Sequence, residues 1–323
     1  MSKTSKPRRG SLQYSPRVRA KRIYPTLRSF LRTESLLGGF AAYKVGMLQI
    51  KMVGNKKGSV LYGKDIVVPA TILEAPDLFA VGVVSYESTP YGLRALDSYV
   101  ESNASIKKYL ERKIKISKEK KKSLDDIKKP EEGILRLIVA TQPWKAGVGK
   151  KTPEIFEVPL VSNIDEAFTY AKEKIGKEIP VSEVFKPGMF VDVIGVTKGK
   201  GFEGSVKRFG VKIQKRGKSD KSIRRVGNLG PWHPAKTSWR VPQHGQHGYH
   251  RRTELNKYIL DVGEAKEDVN PKSGWMHYGI IKSNYIILKG SIMGPPKRLV
   301  MLRPSVRPPS GKYDDPQIED YLI

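Results

Sequence analysis

The chain has 323 residues, 38% of them hydrophobic, enough for one large or two ordinary domains with a true core. Its 60 lysines and arginines against 32 acids give a formal net charge of +28, a balance that repels itself unless a dense polyanion neutralises it, so nucleic acid is the expected partner. The absence of cysteine excludes disulfides, thiolate zinc sites and thiol nucleophiles; no apolar run or long basic amphipathic helix supports a membrane or secretory reading, and a cytoplasmic protein is expected.

Residues 1–36 are basic and almost free of acids. Arg8, Arg9, Arg17, Arg19, Lys21 and Arg22 are interleaved with Tyr14, Tyr24 and Phe30. Such a segment does not fold alone, and it reads either as a solvated tail or as an arm whose aromatics stack on bases while its arginines hold phosphates. From Gly39 the pattern turns β-like: Phe40 to Met52, Asp65 to Leu73 and Ala80 to Tyr86 are apolar runs separated by Gly/Asn/Lys or Pro/Asp turns. Between about 90 and 130 a charged helical stretch is expected, burying Ile106, Tyr109, Leu110 and Ile114 and exposing the lysines of 118–122. Gly133 to Ala140 reads as a strand. Asn163 with Glu166 reads as a capping box for a helix burying Ile164, Phe168, Ala171 and Ile175. Strands resume at Met189 to Val196, His277 to Ile281, Tyr285 to Gly290 and Arg298 to Arg303. A mainly β barrel interrupted by a mixed α/β insertion fits this order.

Thr197 to about Gly263 reads as a long basic excursion, with glycine and proline throughout and Lys198, Lys200, Lys207, Arg208, Lys215, Arg216, Arg224, Arg225, Arg240, Arg251 and Arg252 along it. A structureless stretch of this length in a compact domain is functional or ordered by a partner, and this charge density makes that partner RNA. Gly199-Lys-Gly-Phe-Glu-Gly204 matches the dinucleotide glycine pattern, with Asp220 downstream. It lacks the helix and second apolar strand that a nucleotide fold requires, whereas a glycine turn approaching an RNA backbone accounts for the same residues. His244, His247 and His250 recur every third residue, but Gly245 and Gly248 break any helix that would align them, and neither a metal site nor a catalytic dyad is expected. They are assigned, with His233, to ring stacking and phosphate hydrogen bonding. Trp232 and Trp239, set among turn residues and positive charge, form either a small satellite core or aromatic contacts inserted among bases.

Val226-Gly-Asn-Leu-Gly-Pro-Trp-His-Pro-Ala235 and Gln246-His-Gly-Tyr-His-Arg-Arg-Thr253 closely resemble the universal large-subunit ribosomal protein family L-three in its archaeal and eukaryotic form. Thr197 to Gly204, Ser88 to Leu96 and Gly290 to Arg298 match in kind, so the resemblance runs over nearly the whole chain. It implies a six-stranded barrel of the translation-protein type with an inserted α/β region and two long irregular RNA-binding extensions. The implied division is an arm over 1–36, a barrel from 37–86 and 187–305, an insertion over 87–186, a central finger over 197–263 and a tail over 306–323. The resemblance puts the finger tip, Trp232 and His233 with Arg224 on the stem, near the peptidyl transferase centre. It implies large-subunit rRNA and neighbouring ribosomal proteins as partners, with no cofactor, metal, small-molecule substrate or enzymatic activity. Two competing classes are an RNA-modifying enzyme, which needs a cofactor pocket or acid-base pair, and a DNA-compacting protein, which binds duplex DNA and structured rRNA equally.

Overall fold

The computed structural model describes residues 7–27, 29–30, 35–101, 105–115, 123–124, 126–130, 132–214, 223–265 and 269–322. The fold is mainly β. The chain divides into two compact units, one made of Met1–Arg22 with Val196–Arg251, the other of Ile23–Gly195 with Arg252–Ile323.

The larger unit is built on strands β1 (Phe40–Val53), β2 (Asp65–Glu74), β3 (Leu78–Thr89), β4 (Gly92–Val100), β5 (Gly133–Ala140), β6 (Ile155–Pro159) and β7 (Glu178–Ile179), then β8 (Phe190–Val196). To these the later chain adds β11 (Arg251–Gly263), β12 (Tyr285–Lys289), β13 (Leu299–Pro304) and β14 (Ile318–Leu322). One sheet has seven strands in the order β13-β8-β11-β12-β2-β1-β14, and β13 also pairs antiparallel with β1 from Phe40–Leu302 to Tyr43–Leu299. The other has the order β4-β3-β5-β6, with β7 on β3. Apolar alternation sets which side chains enter the core: in β1, Leu48, Ile50 and Met52 are buried while Gln49 and Met47 are not. Gly46 lies at a bulge in β1, and a Cβ there would come within 2.7 Å of the Trp275 ring, so glycine is what lets that indole lie on the strand.

The helix α2 (Ile164–Lys174) forms as its spacing predicts. Phe168 and Ala171 are buried, Ile164 and Ile175 pack partly buried against the core, and Asp165 and Glu166 lie in the first turn with Lys172 and Lys174 in the last. Asn163 stands at the N-cap but makes no side-chain cap bond, so the capping box does not form.

The long helix expected over 90–130 is a correction. Residues 92–100 form β4, hairpin-paired with β3, and the helix α1 is a single turn, Lys107–Leu110. Of the expected buried positions, Ile106 and Leu110 are buried, because one turn suffices to seat them on Phe79, Val81 and Ala140, while Tyr109, stacked on Trp144 at 3.8 Å, and Ile114 are only partly buried. Lys118 to Lys122 lie outside the described residues. The strand expected over 277–281 is replaced by a turn closed by a Trp275–Gly279 bridge. The stretch 197–263 is not wholly irregular either: it carries three strands and a helix, and β11 joins the sheet on β12 from Ile259 onward.

Two buried polar centres hold the larger unit together. Asp192 is fully buried and takes two bonds from the Arg303 guanidinium (3.2 and 3.0 Å) and one from the Asn256 N–H (3.1 Å), while Arg303 also donates to Ser29. Glu74, also fully buried, ends β2 between Tyr43 of β1 and Tyr285 of β12. Its carboxylate accepts from the N–H groups of Gly147 (2.9 Å), Lys282 (2.7 Å) and Ser283 (3.0 Å), and from the hydroxyls of Ser283 and Tyr278. Burial, then the Glu74 charge, pushes the Tyr278 hydroxyl well above its usual range, so it stays a donor.

Candidate nucleic-acid interface

The smaller unit concentrates the charge. Its 78 residues carry 22 lysines and arginines and only two acids, Glu203 and Asp220, so it holds +20 of the chain's +28. The larger unit is near balance by comparison, with 38 basic residues against 30 acids. This segregation gives one unit the electrostatic footprint of a polyanion-binding surface.

Within the unit, β9 (Gly199–Glu203) and β10 (Gly245–Gly248) pair antiparallel, and the helix α3 (Ser205–Phe209) closes on Gly210 in the left-handed region. Residues 199–203 of the glycine pattern therefore form a strand paired antiparallel with a segment distant in sequence, without the parallel partner of a dinucleotide fold. Gly248 has φ 69°, and a Cβ there would fall 2.1 Å from the Lys198 carbonyl, so the tight approach of the two strands requires glycine. Along this edge Lys198, Lys200 and Phe202 occupy alternate positions, and all three are exposed. The Phe202 ring is 75% exposed and lies 5.2 Å from the ring of His244. Lys200, Phe202, Lys207 and Arg224, together with Glu203, line a cleft of about 330 Å³. Phe202 was not among the expected contacts; its signal was the Lys-Gly-Phe alternation hidden inside a glycine motif.

The described part of the amino-terminal arm up to Arg22 is ordered against the finger segment, whereas Leu27 is buried in the core of the larger unit. The Ala20 N–H donates to the Tyr249 carbonyl at 2.8 Å, Arg8 donates to the Arg240 carbonyl, and the guanidiniums of Arg17 and Arg19 lie 4.7 and 5.0 Å from the Phe209 and Tyr249 rings. His250 is buried, with its ring Nδ1 at 2.9 Å from the Val18 carbonyl, and because a carbonyl only accepts, Nδ1 carries the proton. The backbone groups of His250 exchange bonds with Thr197. This histidine thus fastens the arm to the finger base instead of reaching a phosphate. Replacing it by alanine is expected to loosen the arm by about 1–2 kcal/mol, making trypsin cleavage after Arg19 and Lys21 about tenfold faster. An unchanged cleavage rate would refute that assignment.

The remaining expected contacts are distributed as follows. Arg9, Lys21, Arg22, Lys207, Arg224, Arg225, Arg240, His244 and Arg251 are exposed; Arg17, Arg208, His247 and Arg252 are half-buried; Lys215 and Arg216 lie outside the described residues. Residues 223–244 form neither helix nor strand. Trp232 is 88% and Trp239 65% exposed, which overturns the satellite-core alternative, since an indole in a packed cluster would lose most of its surface. His233 is exposed beside Trp232. The histidines are not brought together, and among the described residues no three metal-binding side chains converge. Among the described residues, too, no helix is long and apolar enough to cross a membrane.

A family model, described as Ribosomal protein L3, matches residues 1–323. This chain belongs to the ribosomal protein L3 family. It is 44% identical over 319 residues to the large ribosomal subunit protein uL3 of Archaeoglobus fulgidus, a match that covers 97% of this chain and 95% of that protein. To the uL3 proteins of Methanothermobacter thermautotrophicus and Caldivirga maquilingensis it is 43% and 42% identical, over 98% of this chain and 97% and 94% of theirs. The L3 family is one of structural ribosomal proteins and not of enzymes, which removes the RNA-modifying enzyme from the competing classes.

Proposed function

We propose that the chain is a structural constituent of the large ribosomal subunit in the cytoplasm, binding rRNA through its smaller unit, organising subunit assembly and serving translation. The observation that carries this reading is the charge segregation: the +20 unit presents exposed aromatic rings among lysines and arginines, the combination that holds phosphate and stacks bases. Family membership supplies the particle, and neighbouring large-subunit proteins are the remaining partners. Arg8, Arg9, Arg17, Arg19, Lys21 and Arg22 serve as the arm's contacts, and the lysines, arginines, Trp239 and exposed histidines of 198–252 as the finger's. Trp232 and His233 form a tip near the peptidyl transferase centre, where they tune aminoacyl-tRNA admission while rRNA does the chemistry.

The division we propose has an arm over 1–36, a barrel core over 37–86 and 187–305, an inserted α/β region over 87–186, the finger over 197–263 and a tail over 306–323. The six-stranded barrel is supported by the circuit of pairings β13-β8-β11-β12-β2-β1, which returns through β1 to β13 and leaves β14 as an added strand. A closed core of this kind would support extensions that gain order from RNA.

Sedimentation of a lysate carrying the tagged chain tests the assignment. Retention with the large subunit through a high-salt wash is expected, and recovery in free or light fractions would refute it. Trp232→Ala is expected to shift the melting temperature of the isolated chain by less than about 1 °C, because the indole makes little buried contact, yet to alter translation by subunits that contain it. A large loss of melting temperature would contradict the tip assignment.

A further inference from the structure

A cleft of the smaller unit, about 690 Å³, lies between the arm and the end of the finger segment, lined by Arg17, Arg208, Phe209, Ser238, Trp239 and Gln243 among others, none of the lining residues acidic. Its chemistry is unusual for a protein surface. The Phe209 ring lies within 4.7 Å of the Arg17 guanidinium and 5.1 Å of the Arg208 guanidinium, so two cations share one aromatic ring. Both are held in place by backbone carbonyls: Arg17 donates to Ser11 at 2.5 Å, and Arg208 to Gln243 and Gln246, each at 3.0 Å. Burial, followed by the charge of Arg17, lowers the pKa of Arg208, as expected where like charges are brought together in a partly desolvated site. Beside them Trp239 keeps 65% of its surface exposed.

A fixed pair of guanidiniums favours a phosphate, an exposed indole favours a flat π-face, and the volume suits a nucleotide. From these features we infer that the cleft receives one nucleotide extruded from the RNA, its base stacked on Trp239 and its phosphate held between Arg17 and Arg208. This rests on the RNA-binding reading above and adds to it a single-nucleotide pocket distinct from contacts along a backbone. The extruded base would supply a contact that duplex RNA lacks, making the cleft a reader of bulges or loops.

The test uses the full chain at low salt. One arm measures binding of AMP, GMP, CMP, UMP and ribose 5-phosphate by equilibrium dialysis. The other measures binding of an RNA hairpin with a single bulged adenosine and of the same hairpin without it. Saturable one-to-one binding of at least one nucleoside monophosphate, about tenfold tighter than ribose 5-phosphate, is expected, together with a preference of about tenfold for the bulged hairpin. Trp239→Ala should remove both preferences, Trp239→Phe should keep them because a stacking ring remains, and Arg17→Gln should weaken the nucleotide and ribose 5-phosphate alike. Equal binding of ribose 5-phosphate and nucleotides would reduce the cleft to a phosphate site and overturn the base pocket. Nucleotide binding without any bulge preference would assign the cleft to free nucleotides and overturn the RNA source. Salt-sensitive hairpin binding with no nucleotide binding and no bulge preference would overturn the pocket while leaving the RNA-binding reading intact. Absence of binding to the nucleotides and to either hairpin would sink the two together.

Discussion

Between about 50 and 200 mM monovalent salt, the affinity of the free full-length chain for structured RNA is expected to fall about a thousandfold or more, the loss associated with roughly six to ten phosphate contacts. The 22 basic residues of the smaller unit exceed that number, and those in the described parts of the arm and of the segment around β9 and α3 are mostly exposed, so condensed counterions would be released from RNA as they bind. Anisotropy titrations across a salt series measure the slope of log affinity against log salt. In the same series, the double substitution Lys200→Glu and Lys207→Glu, on the exposed edge and the helix beside it, should reduce the magnitude of that slope by about two. A slope near zero in the parent chain would remove the polyanion reading. Retention in washed subunits is compatible with this dependence, because segments enclosed by folded rRNA leave only if the RNA opens. Equal affinity for duplex DNA and structured rRNA would favour the DNA-compacting alternative.

Replacing Glu74 by alanine is expected to destabilise the larger unit by about 3–5 kcal/mol. Five donors converge on this one fully buried carboxylate, three of them backbone N–H groups of Gly147, Lys282 and Ser283. The substitution leaves those donors without their acceptor inside the fold, where an unmade hydrogen bond costs far more than a made one contributes. The conservative variant Glu74→Gln would retain the shape but turn one acceptor oxygen into an amide nitrogen facing donors, for a smaller loss of about 2–3 kcal/mol. Urea unfolding of the full chain, followed through the near-ultraviolet signal of its aromatics, reads both. A loss below about 1 kcal/mol for Glu74→Ala would mean that water replaces the carboxylate, and that the segments carrying Gly147 and Tyr278 to Ser283 are held by other contacts.

The amino-acid sequence by itself determined the excess of positive charge, the core strands and the family. Net charge needs no folding to be counted, runs such as Phe40 to Met52 and Tyr285 to Gly290 keep their apolar pattern in any context, and the segments around Val226 to Ala235 and Gln246 to Thr253 are distinctive as strings. Helix and strand were confused over 92–100 because Leu93, Leu96 and Val100 fit a helical stripe, while pairing with β3, a tertiary fact, makes them an edge strand with exposed apolar residues. The expected strand over 277–281 failed for a related reason: Tyr278 is drawn to Glu74 by a buried hydrogen bond, which closes a turn that no local pattern announces. Glu74 itself was invisible as a centre because the apolar run of β2 reads as ending at Leu73, and its five donors come from segments separated by tens to hundreds of residues.

Within the interface, sequence identified the basic residues but not their roles. Only the folded unit separates His250, buried on Val18, from His244, exposed beside Phe202, although the two belong to one regular spacing. Only it brings Arg17 and Arg208, nearly two hundred residues apart in sequence, to one ring. The physical reason is the same in each case. Charge and periodicity are local properties of a chain, whereas burial, hydrogen-bond satisfaction and the meeting of like charges are set by which distant segments come to share a neighbourhood.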